Sequence, residues 1–594
     1  MPSSSPPVRN RRSHRRRGLP RRSRRRLVGL IVIFAVAFSL ITWRLVSIQA
    51  IGNARYRSIS RDAIQPVILS GVRGSILASN GNEMALTEMR PDIFADPTEI
   101  TDAAGDAVRL AAVLGISAFR LQAELTASTS NVVLVAVATA TEVRKVSELK
   151  MGGVGVRELP RRYYPDGGLA LPIIGTVDAA GNGVGGMEQN YDSILRATPG
   201  ALIESVDTDG RPIAGTVTHD VPAVNGDDIL TTIDPALQYQ VEQILPPAIE
   251  SARAASGVIL VMSTATGAIL AAANMVAGRH GAEQAPNAFC FTHAYAPGSV
   301  GKIITVSAGL AQHKITPATK LSIPDVYDVA GDPIHDDSPE PAGTKLSPMG
   351  ILAQSSNIGA TKVAQRLGPD EQYRYLKAYG FTARTDIQFP GETAGFVRTP
   401  DRYYGTTLAT VAYGDGYAVS AVQMISAVNA VANRGLYVAP RLVTATVDAE
   451  GREHLVKTPK PRRVIPAWVA AEMTPMLEQV VSSGTGTIAR IRGYAVAGKT
   501  GTAARYSREG EVIPESYASS FAGYAPATKP AFTVLVVIDD TARFAASAAA
   551  PVFQKVMKAA LVDEGVPSAG RQPAPAIGAL PIVNGQPEAS LLGQ

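Results

Sequence analysis

Unbroken apolar character from Leu27 to Trp43 (LVGLIVIFAVAFSLITW), continuing past Arg44 to Ile48, is the strongest pattern in the chain. As a helix these residues span about 33 Å, enough for a hydrocarbon core of about 30 Å. The pattern therefore predicts one membrane-spanning helix over 27–48. From 49 to about 235, short strand-like runs such as Asn131 to Val137 alternate with Gly- and Pro-rich loops, including Arg161 to Gly168 (RRYYPDGG) and Gly181 to Gly186. That texture predicts an irregular, extended, β-rich module. It changes around Leu230 to Gln238 (LTTIDPALQ), where a short strand passes a proline into a helical pattern. Gly257 to Met262 and Ala268 to Ala273 are apolar runs joined by Ser-Thr-Ala-Thr-Gly, the signature of a hairpin. Ala421 to Arg434 carries Val422, Ile425, Val428 and Val431 at helical spacing and stops at Gly435. Ser519 to Tyr524 and Phe532 to Ile538 read as strands, and Ala550 to Leu561 as a closing helix. Strands at both ends of 236–565 with helices between predict an α/β (α+β) domain around one antiparallel sheet built from distant pieces. Residues 566–594, rich in Pro, Gly and Ala without period, are expected to form a flexible tail.

Composition adds exclusions. With 46% hydrophobic and 18% charged residues over 594 positions, the chain is neither mainly disordered nor collagenous. One cysteine, Cys290, excludes an internal disulfide and any Cys-rich metal site. Charge changes the picture more. Residues 1–26 hold eleven arginines and no acid, and without them the formal charge of +6 becomes negative. The basic character belongs to a tail beside an apolar helix and not to a nucleic-acid-binding face. Positive flanks stay cytoplasmic, which puts 1–26 inside and everything after residue 48 outside the cell membrane. No A-x-A cleavage pattern follows the apolar run, so the helix is expected to stay as an anchor.

Candidate chemistry lies in the second half. Ser299-Val300-Gly301-Lys302 follows Pro297, and Ile303, Val306 and Leu310 mark a helical face behind it. Ser299 then falls in a first helical turn, where free N–H groups favour a developing anion, with Lys302 one turn away on the same face. A desolvated lysine can serve as base to a serine nucleophile. Alone, S-x-x-K is also compatible with a solvated helix start. Ser355-Ser356-Asn357 follows 56 positions after Ser299, and Lys499-Thr500-Gly501-Thr502 comes 144 positions after Ser355. The ordered set S-x-x-K, S-x-N, K-T-G is that of penicillin-recognising serine enzymes. A rival overlaps it: Gly493 to Thr500 satisfies G-x-x-x-x-G-K-[ST], and Val534 to Asp539 resembles a strand ending in a magnesium-binding acid. A phosphate-binding loop must run into a helix, whereas Gly501, Gly510 and Pro514 follow here and Tyr494 to Ala497 reads as strand. The histidines are scattered, His335-Asp336-Asp337 reads as a polar loop, and no metal site is expected.

With these motifs the chain resembles a class B penicillin-binding protein, the monofunctional peptidoglycan transpeptidase family. Arg73-Gly74-Ser75-Ile76 with Asn80-Gly81 resembles that family's R-G-x-I-x-D-R-N-G segment, although Ala78-Ser79 stands where Asp-Arg is usual. Arg162 to Gly168 and Gly186-Met187-Glu188 resemble pieces of its membrane-proximal pedestal. Tyr413 to Gly416, Gln423 and Asn433-Arg434-Gly435 match landmarks of its transpeptidase domain. The resemblance implies an Arg-rich cytoplasmic tail (1–26), an anchor (27–48), a pedestal or dimerisation-like domain (49–235), a transpeptidase domain (236–565) and the tail (566–594). It implies that Ser299 is the nucleophile, Lys302 its base, and Ser355 a proton relay. Asn357 would hold the substrate amide, Lys499 would polarise the network, and Thr500, Gly501 and Thr502 would bind substrate. No cofactor is implied. The implied partners are peptidoglycan stem peptides, β-lactams as inhibitors, a multi-span membrane glycosyltransferase, and division or elongation complex proteins. The arginine-rich tail is similar to those of division-type proteins of high-GC Gram-positive bacteria. An elongation-type enzyme and a catalytically silent scaffold are the alternatives. A bifunctional class A protein would need a glycosyltransferase domain where 49–235 is Gly/Pro-rich, and a β-lactamase would not need a pedestal.

Overall fold

A computed structural model describes residues 21–49, 64–69, 71–129, 131–205, 219–338, 341, 343–507, 509–568, 582–583 and 586–587. Most of the arginine-rich tail and most of the C-terminal tail lie outside the described residues. The chain divides into two compact units, 1–69 with 199–223, and 70–198 with 224–594. In the first, a helix runs over Arg21–Gln49, and its Arg24–Ser47 stretch, with mean hydropathy 2.2 and no buried residue, is long and apolar enough to cross a membrane. Strands Ile64–Leu69, Gly200–Ser205 and His219–Val221 form a small antiparallel sheet in the same unit.

The second unit opens with strands Ile76–Leu77 and Glu83–Ala95 and carries three helices that the strand-like pattern did not foretell: Ala103–Leu114, Ala118–Leu125 and Ala140–Glu148. Their ends are locally encoded. Asp102 caps the first and left-handed Gly115 closes it, while Thr139 and Glu142 form a reciprocal capping box at the third. The helices bury Leu110, Leu121, Leu125 and Val146 against Ile93 and Leu134 of the adjoining strands. In the same unit Glu188, fully buried, is held by Arg73 and Arg162 at 2.7 Å each, and Arg73 also reaches Asp192 at 2.7 Å.

A larger sheet crosses from this region into the C-terminal half. Strand Asp228–Thr231 pairs parallel with Ile76–Leu77 on one side and antiparallel with Val443–Val447 on the other. The C-terminal half itself is organised by a six-stranded antiparallel sheet in the order Gly281–Gln284, Ile269–Gly278, Ser256–Ser263, Phe532–Thr541, Val512–Ala525, Ala497–Tyr506. Its central strands are covered on both faces, which is why they read as unbroken apolar runs. Val534, Val536 and Ile538 face one layer with Leu245, Ile249, Phe553 and Val556 of helices Pro235–Ala252 and Ala550–Asp563. Leu535 and Val537 face the other, with helix Ala421–Ala432. All twelve residues of that helix are buried, so its apolar face is complete and not a stripe. Ser420 and Gln423 cap its start reciprocally, and the chain turns away through left-handed Arg434 and Gly435.

Candidate active site

Three remote segments converge at the edge strand Ala497–Tyr506. Gly298–Gly301 forms a 3-10 turn that runs directly into helix Lys302–Ala311. The tighter turn replaces the ordinary helical start expected from Pro297, and still puts i and i+3 on one face. Lys302 Nζ donates to Ser299 Oγ at 2.8 Å. The second segment is the break between helices Pro348–Ala353 and Asn357–Leu367, where Ser355 adopts φ +65° and Ser356 caps the following helix. A left-handed backbone is costly for a residue with a Cβ and persists only where its surroundings impose it. Here it lets Lys302 Nζ donate to both the carbonyl and the hydroxyl of Ser355, while Asn357 Oδ1 accepts from the same ammonium at 2.6 Å.

The third segment, Lys499 to Thr502, lies on a strand that pairs antiparallel with Val512–Ala525. Neither a turn nor a loop-to-helix junction is present, so the nucleotide-binding pattern lacks its structural context. The strand begins at Ala497, later than the sequence suggested, because Tyr494 instead bridges Ile491 in a turn. Lys499 Nζ donates to Ser355 Oγ at 2.9 Å and to the carbonyl and hydroxyl oxygens of Thr500 at 3.0 and 3.2 Å. Ser355 Oγ thus sits between two lysines. Glycines set how closely turn and strand approach. A Cβ on Gly298, at φ +53°, would lie 2.6 Å from Thr502 O, and one on Gly501 would lie 2.5 Å from Pro297 O. The peptide groups flanking Ser299 and Thr502 are therefore in backbone contact.

Both lysines are fully buried. Burial draws Lys302 down to about 8, with Asp337, Asp336 and Asp415 opposing the fall. Lys499 is driven well below the ordinary lysine range, by burial first and by the Lys302 charge second, against Asp337. Asp415 is pushed up to about 7 by burial, an effect that Lys302 opposes and Asp337 reinforces. A lysine partly neutral at physiological pH, bonded to a serine hydroxyl, is what base-assisted nucleophilic attack needs. Each of Ser299, Lys302, Ser355, Asn357 and Lys499, named from spacing, stands in this one network.

Other neighbours were not legible as site residues. Thr485 shares a 2.8 Å hydroxyl–hydroxyl bond with Thr500, Thr502 Oγ1 accepts the Ala545 N–H at 3.2 Å, and Asp336 bonds Ser356. Only the paired acids of His335-Asp336-Asp337 offered a hint, and such pairs are common in solvated loops. Among the described residues no group of three or more His, Cys, Asp or Glu side chains is arranged to hold a metal ion.

The family model described as penicillin binding protein transpeptidase domain matches residues 257–558, and that for the penicillin-binding protein dimerisation domain matches 68–231. The chain is 32% identical over 433 residues to penicillin-binding protein PbpB of Mycobacterium tuberculosis, which covers 70% of this chain and 64% of that protein. It is 29% identical over 507 residues to peptidoglycan D,D-transpeptidase FtsI of Escherichia coli, with 82% and 83% covered. Among solved structures, penicillin binding protein 3 of Mycobacterium tuberculosis complexed with ampicillin superposes with a TM-score of 0.68 at 26% identity, covering 86% of this chain and 98% of that one.

Proposed function

The chain belongs to the penicillin-binding protein transpeptidase family, and from that premise we propose that it is a membrane-anchored serine D,D-transpeptidase that cross-links peptidoglycan stem peptides. The observation that carries the reading is the position of Lys302 Nζ, within hydrogen-bonding distance of Ser299 Oγ, Ser355 and Asn357 Oδ1 at once. Once neutral, that amine reverses its bond to Ser299 and accepts the hydroxyl proton as Oγ attacks the carbonyl of the penultimate D-Ala. The oxyanion forms beside the backbone N–H groups of Ser299 and Thr502, each such donor being worth about 2.7 to 4 kcal/mol in comparable sites. Ser355, between the two lysines, passes the proton to the leaving amine, and D-Ala departs. Thr500, Gly501 and Thr502 line the strand that receives the terminal carboxylate. An amine from a neighbouring strand then attacks the acyl-enzyme, completing the cross-link and restoring Ser299. A β-lactam stops at the acyl stage.

The arginine-rich flank keeps the N-terminus cytoplasmic and the bulk of the chain outside. Relatives named PbpB and FtsI support a role in septal synthesis during division. In that role a multi-span membrane glycosyltransferase would supply the strands that it cross-links. Intact mass after incubation with a fluorescent penicillin tests the reading. One adduct per chain, absent from Ser299→Ala, is expected, and a folded chain that takes no adduct overturns it.

A further inference from the structure

Asp336 belongs to none of the three motifs, yet it grips the second one directly. Its Oδ2 accepts the Ser356 hydroxyl at 2.6 Å and its Oδ1 accepts the Ile358 N–H at 2.9 Å. Ser356 Oγ accepts in turn from the Gly359 N–H at 2.9 Å, so one carboxylate and one hydroxyl close the first turn of helix Asn357–Leu367. One residue upstream, the carbonyl of His335 accepts from Asn357 Nδ2 at 3.1 Å. That bond decides which way the amide faces. With Nδ2 held toward His335, Oδ1 is turned to Lys302 Nζ, 2.6 Å away, and the second amide proton is left for a ligand in the cleft.

The stretch leading to Asp336 is fastened to the same helix further along. Tyr327, on strand Tyr327–Val329, donates to Gln365 Oε1 at 2.8 Å. The Lys362 ammonium lies 4.4 Å from the centre of the Tyr327 ring and donates to the Ser322 carbonyl at 2.8 Å. The loop carrying His335 and Asp336 is thus braced against one turn of helix while holding another. It holds the residue next to Ser355, whose left-handed conformation needs external support.

We propose that Asp336 is a positioning residue for acyl transfer: it locks the Ser356–Asn357 turn so that Asn357 presents its oxygen to Lys302 and its free N–H to the substrate amide. The inference rests on the transpeptidase reading of the same site. A plain helix cap would stabilise the fold without setting the rate, so the test reads rate and folding separately.

In the full-length chain in detergent, the acylation rate with a fluorescent penicillin is compared across variants, with thermal unfolding measured on each. Asp336→Ala is expected to slow acylation about tenfold to a hundredfold, the scale of a displaced catalytic group. Asp336→Asn, which can still accept from Ile358 and donate to Ser356 Oγ, recovers most of the rate. Ser356→Ala slows acylation in the same direction, and the double variant Asp336→Ala/Ser356→Ala is no slower than Asp336→Ala alone, because the two act as one unit. Should Asp336→Ala fail to fold, Asp336→Glu replaces it, keeping the charge but displacing the carboxylate by a methylene, with the same slowing expected. The inference is overturned by a folded Asp336→Ala or Asp336→Glu that acylates at the wild-type rate, by an Asp336→Asn as slow as Asp336→Ala, or by effects that multiply in the double variant. A wild-type chain without adduct overturns the transpeptidase reading and this inference with it, whereas an unaffected variant beside an acylated wild type overturns this inference alone.

Discussion

Lys302 must be neutral to take the Ser299 proton, and burial has brought its pKa to about 8. The neutral fraction grows as pH rises through that value, so the rate of acylation by a penicillin is expected to climb between about pH 7 and pH 9 and then level off. A pH series of stopped-flow acylation rates checks this, and a flat profile would remove Lys302 as the base. Close approach makes a second prediction. A methyl on Gly501 meets Pro297 O at 2.5 Å, Ser520 Oγ at 2.6 Å and Val300 Cγ2 at 2.7 Å. Gly501→Ala is therefore expected to push the strand off the nucleophile turn and cost about a hundredfold in acylation, with the fold retained by circular dichroism. The members of the candidate network were legible because each motif joins them by a fixed local spacing that one helical turn or one strand enforces. Asp336 and Thr485 were not, because each comes from a separate stretch of chain whose arrival depends on tertiary packing and leaves no local pattern.

Elements were legible where burial imposes a period. The hairpin Ser256–Ser263 with Ile269–Gly278 and the helix Ala421–Ala432 follow the apolar runs to within a few residues. Helix Ala103–Leu114 escaped because alanine supplies much of its packed face, and Ala118–Leu125 and Ala140–Glu148 because each spans little more than two turns, too short to establish a period. The same N-terminal part of the chain also holds a buried ion-pair cluster, and that cluster is unforgiving. Glu188 is buried between Arg73 and Arg162, so Glu188→Ala strands two guanidinium groups with one acid removed. Breaking a buried ion pair this way typically costs about 3 to 5 kcal/mol. Chemical denaturation is expected to show a loss of that size for Glu188→Ala. A variant as stable as the wild type would mean that Asp192 and backbone carbonyls suffice for both arginines.

At the scale of the molecule, the seven-stranded sheet links parts of the chain that the family boundaries separate. Strand Asp228–Thr231 lies between Ile76–Leu77 and Val443–Val447, and Glu242, on helix Pro235–Ala252, accepts the Ala170 N–H at 2.8 Å. A fragment starting at residue 71 keeps every one of these contacts, whereas one starting at 235 leaves the Val443–Val447 edge unpaired. The first is expected to be soluble, monodisperse and acylated by penicillin, and the second to aggregate. Size-exclusion chromatography of both fragments decides, and a well-behaved second fragment would show that the shared sheet is dispensable. The same arrangement sets an order of events during synthesis. Strand Asp228–Thr231 has left the ribosome more than two hundred residues before its antiparallel partner exists, so the N-terminal half must wait with an open edge until Val447 has been made. The protein becomes able to react with its substrate only after the part that carries it has been held incomplete, which makes that interval the moment when a chaperone, or a competing strand, can decide its fate.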